Sequence, residues 1–274
     1  MSLAILAAIA SAALHPWMTA LSKKGAHPLT VNFWGVILAG LIFSFVYFRI
    51  GFWGKVMENW ELIVISGILH ATYVMLVLPL IARHEFQVVY PLTRVVPIFV
   101  LIGEILILGT SFAALKILGV CLVVSGALIF GFDKKINGFR VKIAIEILLI
   151  AMMTAGYFLL DKKLLSVFTP AEMWAMVVFQ LPILGVVLLT KKKEIIADLK
   201  NFKNTTLFAL SMIGTWFLAL TALKELDGAV VTSLRNLSII FGVFLGAHLF
   251  DEGHKVLRYL AAILICGGAF LTIL

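Results

Sequence analysis

Polar residues are what this chain has least of. Of its 274 residues only 13% are charged, 62% are apolar, and the mean hydropathy is +1.12. A soluble domain carries about 25% charged and about 45–50% apolar residues, so most soluble enzymes, disordered chains and secreted disulfide scaffolds are excluded. Cysteine is nearly absent. Cys121 and Cys266 both fall in apolar segments and form no CxxC pair, so they read as small buried hydrophobic residues. Motifs for catalysis are missing too: there is no GxxxxGK[ST], HExxH or GxSxG and no Cys/His cluster with zinc spacing. Neither metal nor cofactor is expected, nor work driven by nucleotide hydrolysis in this chain. No filter-like sequence or ring of repeated charge suggests a channel. The net charge of +8 comes from 22 Lys+Arg against 14 Asp+Glu. Most of the basic residues lie between apolar segments, where they anchor helix ends rather than bind nucleic acid.

What is present is apolar sequence in blocks of about 20 residues, the length that spans a bilayer as a helix. Ten such blocks are expected, near 2–22, 29–50, 61–82, 87–109, 113–131, 141–161, 171–190, 205–223, 228–250 and 256–274. The first lacks a basic leader and a small-residue cleavage site, so it reads as a membrane helix rather than a removable signal. Connections are short and polar, the longest being Lys191–Asn204. One helix start is sharply written: Thr169-Pro170-Ala171-Glu172 combines a capping threonine, a proline at the first helical position and a capping-box glutamate. The fold class expected is an all-α polytopic membrane protein.

The ten blocks divide at the 133–140 linker into two sets of five, residues 1–132 and 141–274. Sliding one half over the other by 141 positions pairs Val89 with Val230, Arg94 with Arg235, Ile98 with Ile239 and Gly126 with Gly267. A slide of 139 lays Ser22-Lys23-Lys24 on Asp161-Lys162-Lys163. Because five is odd, the second copy crosses in the opposite sense, which gives two inverted five-helix repeats. Connections after odd-numbered helices carry 14 Lys+Arg and those after even-numbered helices 6. By the positive-inside rule the odd connections are cytoplasmic and both termini are outside.

Two arginines fall inside apolar segments, at a cost of about 2.5–3.5 kcal/mol each at a helix centre. Arg94 and Arg235 lie at matching places in the fourth and ninth helices. A guanidinium grips a carboxylate or phosphonate through two parallel hydrogen bonds; alternatively each arginine binds an internal acid or backbone carbonyls and locks packing. Tyr90, Arg94, Pro97, Leu101 and Glu104 recur at helical spacing and share a face. Glu104 is a proton-coupling candidate or a neutral acid bonded to a neighbour, and Asp161 is a second such candidate. Asn236 and Ser238 extend the polar patch beside Arg235, and Gly242-x-x-x-Gly246 permits close helix packing. His15 either titrates near neutral pH or serves an interhelical contact. Trp17, Tyr73, Tyr157, Gln180 and Trp216 are candidate lining groups, with packing or an aromatic cage for an ammonium as their two roles.

Phe86-Gln87-Val88-Val89-Tyr90-Pro91-Leu92-Thr93-Arg94 resembles the pattern that opens the fourth helix in the EamA type of the drug/metabolite transporter superfamily. Val231-Thr232-Ser233-Leu234-Arg235-Asn236-Leu237-Ser238 resembles its counterpart in the ninth. Ala155-Gly156-Tyr157-Phe158-Leu159-Leu160-Asp161 is similar to the sixth-helix pattern of one branch, and His15 with Lys23-Lys24 to that branch's first helix. The chain departs at Gly109-Thr110-Ser111, where the family often has Gly-Glu, and at Met18-Thr19, where the branch has Trp-Asn. The resemblance implies a secondary transporter of small metabolites working by alternating access, monomeric or homodimeric in the lipid bilayer of a prokaryotic cytoplasmic membrane. It also implies cytoplasmic termini, the reverse of the charge count. The arginines point to an anionic or zwitterionic substrate, such as an amino acid or an organic or phosphonic acid. A carrier of quaternary-ammonium solutes such as choline and a non-transporting membrane scaffold are the alternatives.

Overall fold

The computed structural model describes residues 2–84, 86–129, 141–242 and 257–274. The described residues are helical almost throughout, with no strand among them. The first half holds α1 (Ser2–Lys23), α2 (Pro28–Ile42), a 3₁₀ turn (Ser44–Phe48), α3 (Phe52–Glu58), α4 (Trp60–Arg83), α5 (Phe86–Leu92), α6 (Val96–Leu106) and α7 (Ala114–Ile129). The second holds α8 (Val141–Leu164), α9 (Pro170–Ala175), a second 3₁₀ turn (Met176–Gln180), α10 (Leu181–Leu188), α11 (Lys192–Lys200), α12 (Phe202–Glu225), α13 (Gly228–Arg235) and α14 (Leu257–Leu271). Five stretches are long and apolar enough to cross a bilayer: Leu3–Lys23, Trp60–Arg83, Val89–Leu106, Ile143–Leu164 and Phe202–Glu225. Five shorter apolar helices lie between and after them.

Packing follows a two-fold logic. α1 lies on α12, and α8 on α4, the same pair with the halves exchanged. α6 also meets α8, α13 meets α1, and α7 meets α14. That last crossing is the tightest. A Cβ on Gly119 would lie 2.7 Å from the Gly268 carbonyl oxygen, and one on Gly126 2.8 Å from that of Ala261. Moving Gly119 and Gly126 on by 142 positions gives Ala261 and Gly268, so the two contacts are one contact repeated about the pseudo-axis. The ungapped slide that paired Gly126 with Gly267 is off by one here. Gly267 has open space beside it, and Gly268 is the residue in the crossing.

Lysines close the frame in the same two-fold manner. Lys23, ending α1, donates to the His84 carbonyl just past α4 at 3.1 Å. Lys162, its match near the end of α8, donates to the Leu223 and Leu226 carbonyls at the end of α12, both at 2.8 Å. Both satisfy carbonyls that a helix C-terminus leaves without partners.

Several expected boundaries move. The second helix stops at Ile42 rather than 50, where the chain tightens into a 3₁₀ turn and then uses Gly51 at φ 81°. The capping box at Thr169 and Glu172 forms, with Glu172 Oε2 accepting from Thr169 N at 2.7 Å. The helix it opens is interrupted at Met176–Gln180. Part of the expected Lys191–Asn204 loop is helical (α11), held down by buried Asp198, which accepts from Ala26 N at 2.7 Å and from the Thr30 hydroxyl. Cys121 and Cys266 are exposed on the apolar exterior, contrary to the buried reading. That exterior, where Leu3, Leu41, Phe48, Ile107, Val186 and Ile263 are all more than half exposed, suits lipid rather than water. The 133–140 linker and Gly246 of the GxxxG pair lie outside the described residues.

Candidate functional site

The fourth and ninth helices are broken where their arginines sit. A continuous fourth helix over 87–109 was expected; instead α5 ends at Leu92 and α6 begins at Val96, so Arg94 occupies an unwound turn. Pro97 is the cause, since it sits in the first turn of α6 and has no N–H to bond the Thr93 carbonyl one turn back. The ninth helix breaks at Asn236–Leu237, immediately after Arg235, without a proline. There the backbone tightens to three-residue bonds, Asn236 N to Ser233 O at 3.0 Å and Ile239 N to Asn236 O at 2.9 Å. The two breaks are tied together, because Asn236 Nδ2 donates to the Arg94 carbonyl at 2.7 Å. Discontinuous helices of this kind place main-chain polar groups and side chains at a buried site without exposing them to lipid.

Around the breaks lies a small cavity lined by His15, Tyr73, Arg94, Tyr157, Trp216, Arg235 and Asn236, together with Thr154 and Thr232. Arg94 is part-buried. Its Nη2 lies 2.6 and 2.7 Å from the two ring nitrogens of His15 and 3.2 Å from the Tyr90 hydroxyl, and its guanidinium carbon sits 4.8 Å from the Tyr90 ring centroid. Arg235 is 5% exposed. Its guanidinium lies 4.8 Å from the Trp216 ring centroid and 5.6 Å from that of Phe158, and its Nε and Nη2 have no hydrogen-bond partner. Arg94 Nε is likewise unpartnered. Among the described residues neither arginine forms an ion pair with a carboxylate. A buried cation left with donors unmatched is costly, several kcal/mol for each lost charge-assisted partner, and that cost is relieved by an anion.

The cavity is contracted. Its free space is about 10 Å³, roughly what one water needs. Trp216 also lines two adjoining cavities. The larger, about 70 Å³, contains Ser66, His70, Asp161, Gln180 and Trp174; the other is about 30 Å³ and adds Asn32, Tyr73 and Met212. Asp161, 7% exposed, accepts from the Ser66 hydroxyl at 2.7 Å. His70 is stacked on Tyr157 at 4.6 Å, tilted against Trp216 at 4.9 Å, and bonded to Gln180 Nε2 at 3.1 Å.

Of the residues singled out from sequence, His15, Tyr73, Tyr90, Arg94, Tyr157, Trp216, Arg235 and Asn236 are brought together. Trp17 is not: it is 49% exposed on the outside of α1, two positions on from His15. Asp161 belongs to the adjoining cavity. Glu104 serves another purpose, accepting from Gly228 N at 2.6 Å and Ala229 N at 2.9 Å, which caps the first turn of α13. The neighbour it bonds is the main chain of α13, through two N–H groups. His70 and Ser66 were missed; an intramembrane histidine in the third helix was the available signal.

Two related apolar halves closed around a polar cavity at broken helices are the build of a membrane carrier. The chain belongs to the EamA-like transporter family, whose sequence pattern matches residues 1–132 and again 141–274. It is thus an integral membrane protein of the drug/metabolite transporter superfamily, in a family whose members are transporters. A solved crystal structure described only as that of a protein is similar in fold, with 15% identity and a TM-score of 0.72 over 99% of this chain and 96% of the other. No curated protein matches.

Proposed function

We propose that this protein moves a small anionic or zwitterionic metabolite, an amino acid or an organic or phosphonic acid, by alternating access between its two five-helix halves. The proposed setting is ten spans in a prokaryotic cytoplasmic membrane, with the halves bounded at 1–132 and 141–274. One observation carries the reading: a buried Arg235 and a part-buried Arg94 face one cavity, each with an unmatched donor and, among the described residues, no carboxylate bonded to either. A planar fork of this kind matches a carboxylate or phosphonate. Broken helices at the interface of the halves supply the hinge-like backbone that such carriers use around a central site. The cavity has room for about one water, so in this reading it widens to admit the solute.

The aromatic cluster gives the cation-carrier reading little room. The Arg235 guanidinium already lies 4.8 Å from the Trp216 ring centroid, so an ammonium brought to that ring would meet a like charge. A passive scaffold gives no reason for two unmatched buried arginines.

Thermal unfolding of the purified protein with a panel of carboxylates, phosphonates, amino acids and quaternary amines tests the reading, because a compound that binds the folded state raises its apparent stability. Stabilisation by anion-bearing compounds that disappears in Arg235→Gln supports it. Stabilisation by quaternary amines alone, unchanged in Arg235→Gln, overturns it.

A further inference from the structure

Arg94 and Arg235 are equivalent in the repeat, yet only Arg94 has a basic side chain seated in its fork. His15 is 3% exposed, its two ring nitrogens lie 2.6 and 2.7 Å from Arg94 Nη2, and its Nδ1 is 3.0 Å from the Tyr90 hydroxyl and 3.3 Å from that of Thr19. Arg94 Nη2 is almost equidistant from both ring nitrogens, so it lies against the imidazole ring rather than on one nitrogen's lone pair. A neutral ring accepts a cation in that place. An imidazolium there would add a third positive charge in contact with Arg94 and near Arg235, so the contact favours neutral His15. The other titratable groups around it are Tyr90, Tyr73 and Tyr157; among the described residues no carboxylate lines the cavity. Neither of the acids singled out from sequence reaches this spot, since Glu104 caps α13 and Asp161 lies with Ser66 in the neighbouring cavity.

An arriving anion changes the balance. It needs the same Nη2 donor that the imidazole holds, so His15 must let go of Arg94. Once the anion sits between the arginines, its negative charge makes an imidazolium favourable, and a protonated ring becomes a third donor to the anion. We propose that His15 is the proton site of the carrier: it occupies the Arg94 fork in the contracted state, and one proton from the aqueous phase binds its freed nitrogen as one anion binds the arginines. The proton leaves to water on the far side when the anion does, and the imidazole returns to Arg94. This inference rests on the anion reading above and adds its coupling ion and the residue that holds it. Linkage fixes the sign. Anion binding takes up a proton, so affinity for the anion rises as pH falls.

The test uses acetate, which, like other simple carboxylates, is more than about nine-tenths ionised from about pH 6 to about pH 8. Acetate affinity is read by thermal shift on the full-length protein, and proton uptake on acetate addition by an indicator dye in weak buffer. Wild type is expected to gain up to about tenfold in affinity per pH unit lowered, with close to one proton taken up per acetate. His15→Asn and His15→Gln, which cannot titrate, are expected to bind with no pH dependence, while Asp161→Asn keeps the slope. Zero proton uptake by wild type overturns the proposal without any variant, so it survives the case in which the His15 variants fail to fold. A slope that persists in His15→Asn but vanishes in Asp161→Asn also overturns it, and leaves the arginine reading intact. If neither acetate nor any other anion of the panel binds wild type, the arginine reading itself falls and this proposal with it.

Discussion

Arg94 and Arg235 occupy the same place in two copies of one design, and the copies treat them differently. Arg94 sits in an unwound turn, part-buried, with Nη2 shared between His15 and Tyr90. Arg235 ends a helix, is almost fully buried, lies against the rings of Trp216 and Phe158, and has two unpartnered nitrogens. The duplicated backbone sets where two cations stand. The side chains around them decide that one is held by a group it can release and the other is fixed and unsatisfied. A symmetric frame thereby acquires an asymmetric site, which a small asymmetric substrate requires.

The largest effect that would sharpen this contrast comes from Arg235. Arg235→Ala is expected to lower anion affinity by about 10²-fold or more, the usual result of removing one member of a buried, desolvated charge pair; Arg94→Ala, whose donor is already shared, is expected to lose less. Equal losses, measured by titrating the best anion of the panel, would break the distinction. Next is the axis between the halves. Gly268→Val places a Cβ 2.6 Å from the Gly119 carbonyl oxygen and should cost about 1–3 kcal/mol in overpacking, read as a lower melting temperature in detergent. Gly267→Val, one position away with open space, should leave the melting temperature nearly unchanged.

A smaller change tests the cap that only the first half supplies. Glu104→Gln keeps one of the two acceptor oxygens that face Gly228 N and Ala229 N, so α13 should lose roughly 1 kcal/mol of support. Amide exchange at Gly228 and Ala229 should quicken, and unchanged exchange would remove Glu104 from this role. The smallest effect lies at the turn between α1 and α2. His27 accepts from Leu29 N at 3.3 Å as the cap of α2, and burial, with Lys191 nearby, holds its imidazole below the ordinary histidine range. The fold therefore binds fewer protons there than the unfolded chain. This contribution is full above about pH 6.5 and is lost as pH falls through the lowered value. Wild type should lose a little stability on acidification that His27→Asn, which keeps a capping oxygen, does not lose.

Much of this was legible in the sequence where one residue type permits one outcome. Thr169-Pro170-Ala171-Glu172 wrote its own helix start. The pairing of Lys23 with Lys162 and of Arg94 with Arg235 exposed the repeat, and the structure returns both pairs to equivalent places. What escaped depends on who the neighbours are. Nothing local marks the break at Asn236, because its cause is not a proline, and its side chain is spent on the Arg94 carbonyl of the other half. Trp17 and His15 are two positions apart and so face different sides of one helix; only the packing of α1 says which side is inside. The apolar cysteines faced lipid rather than core, a distinction hydrophobicity does not carry when both surroundings are apolar.

The central claim is that the two arginines form one anion grip. The most direct measurement is flux of the best-stabilising anion into proteoliposomes containing wild type, Arg94→Lys, Arg235→Lys and the two alanine variants. The account predicts flux close to background in both alanine variants and only partial recovery with lysine, which restores the charge without the two-pronged fork. Wild-type flux in Arg94→Ala and Arg235→Ala would contradict it.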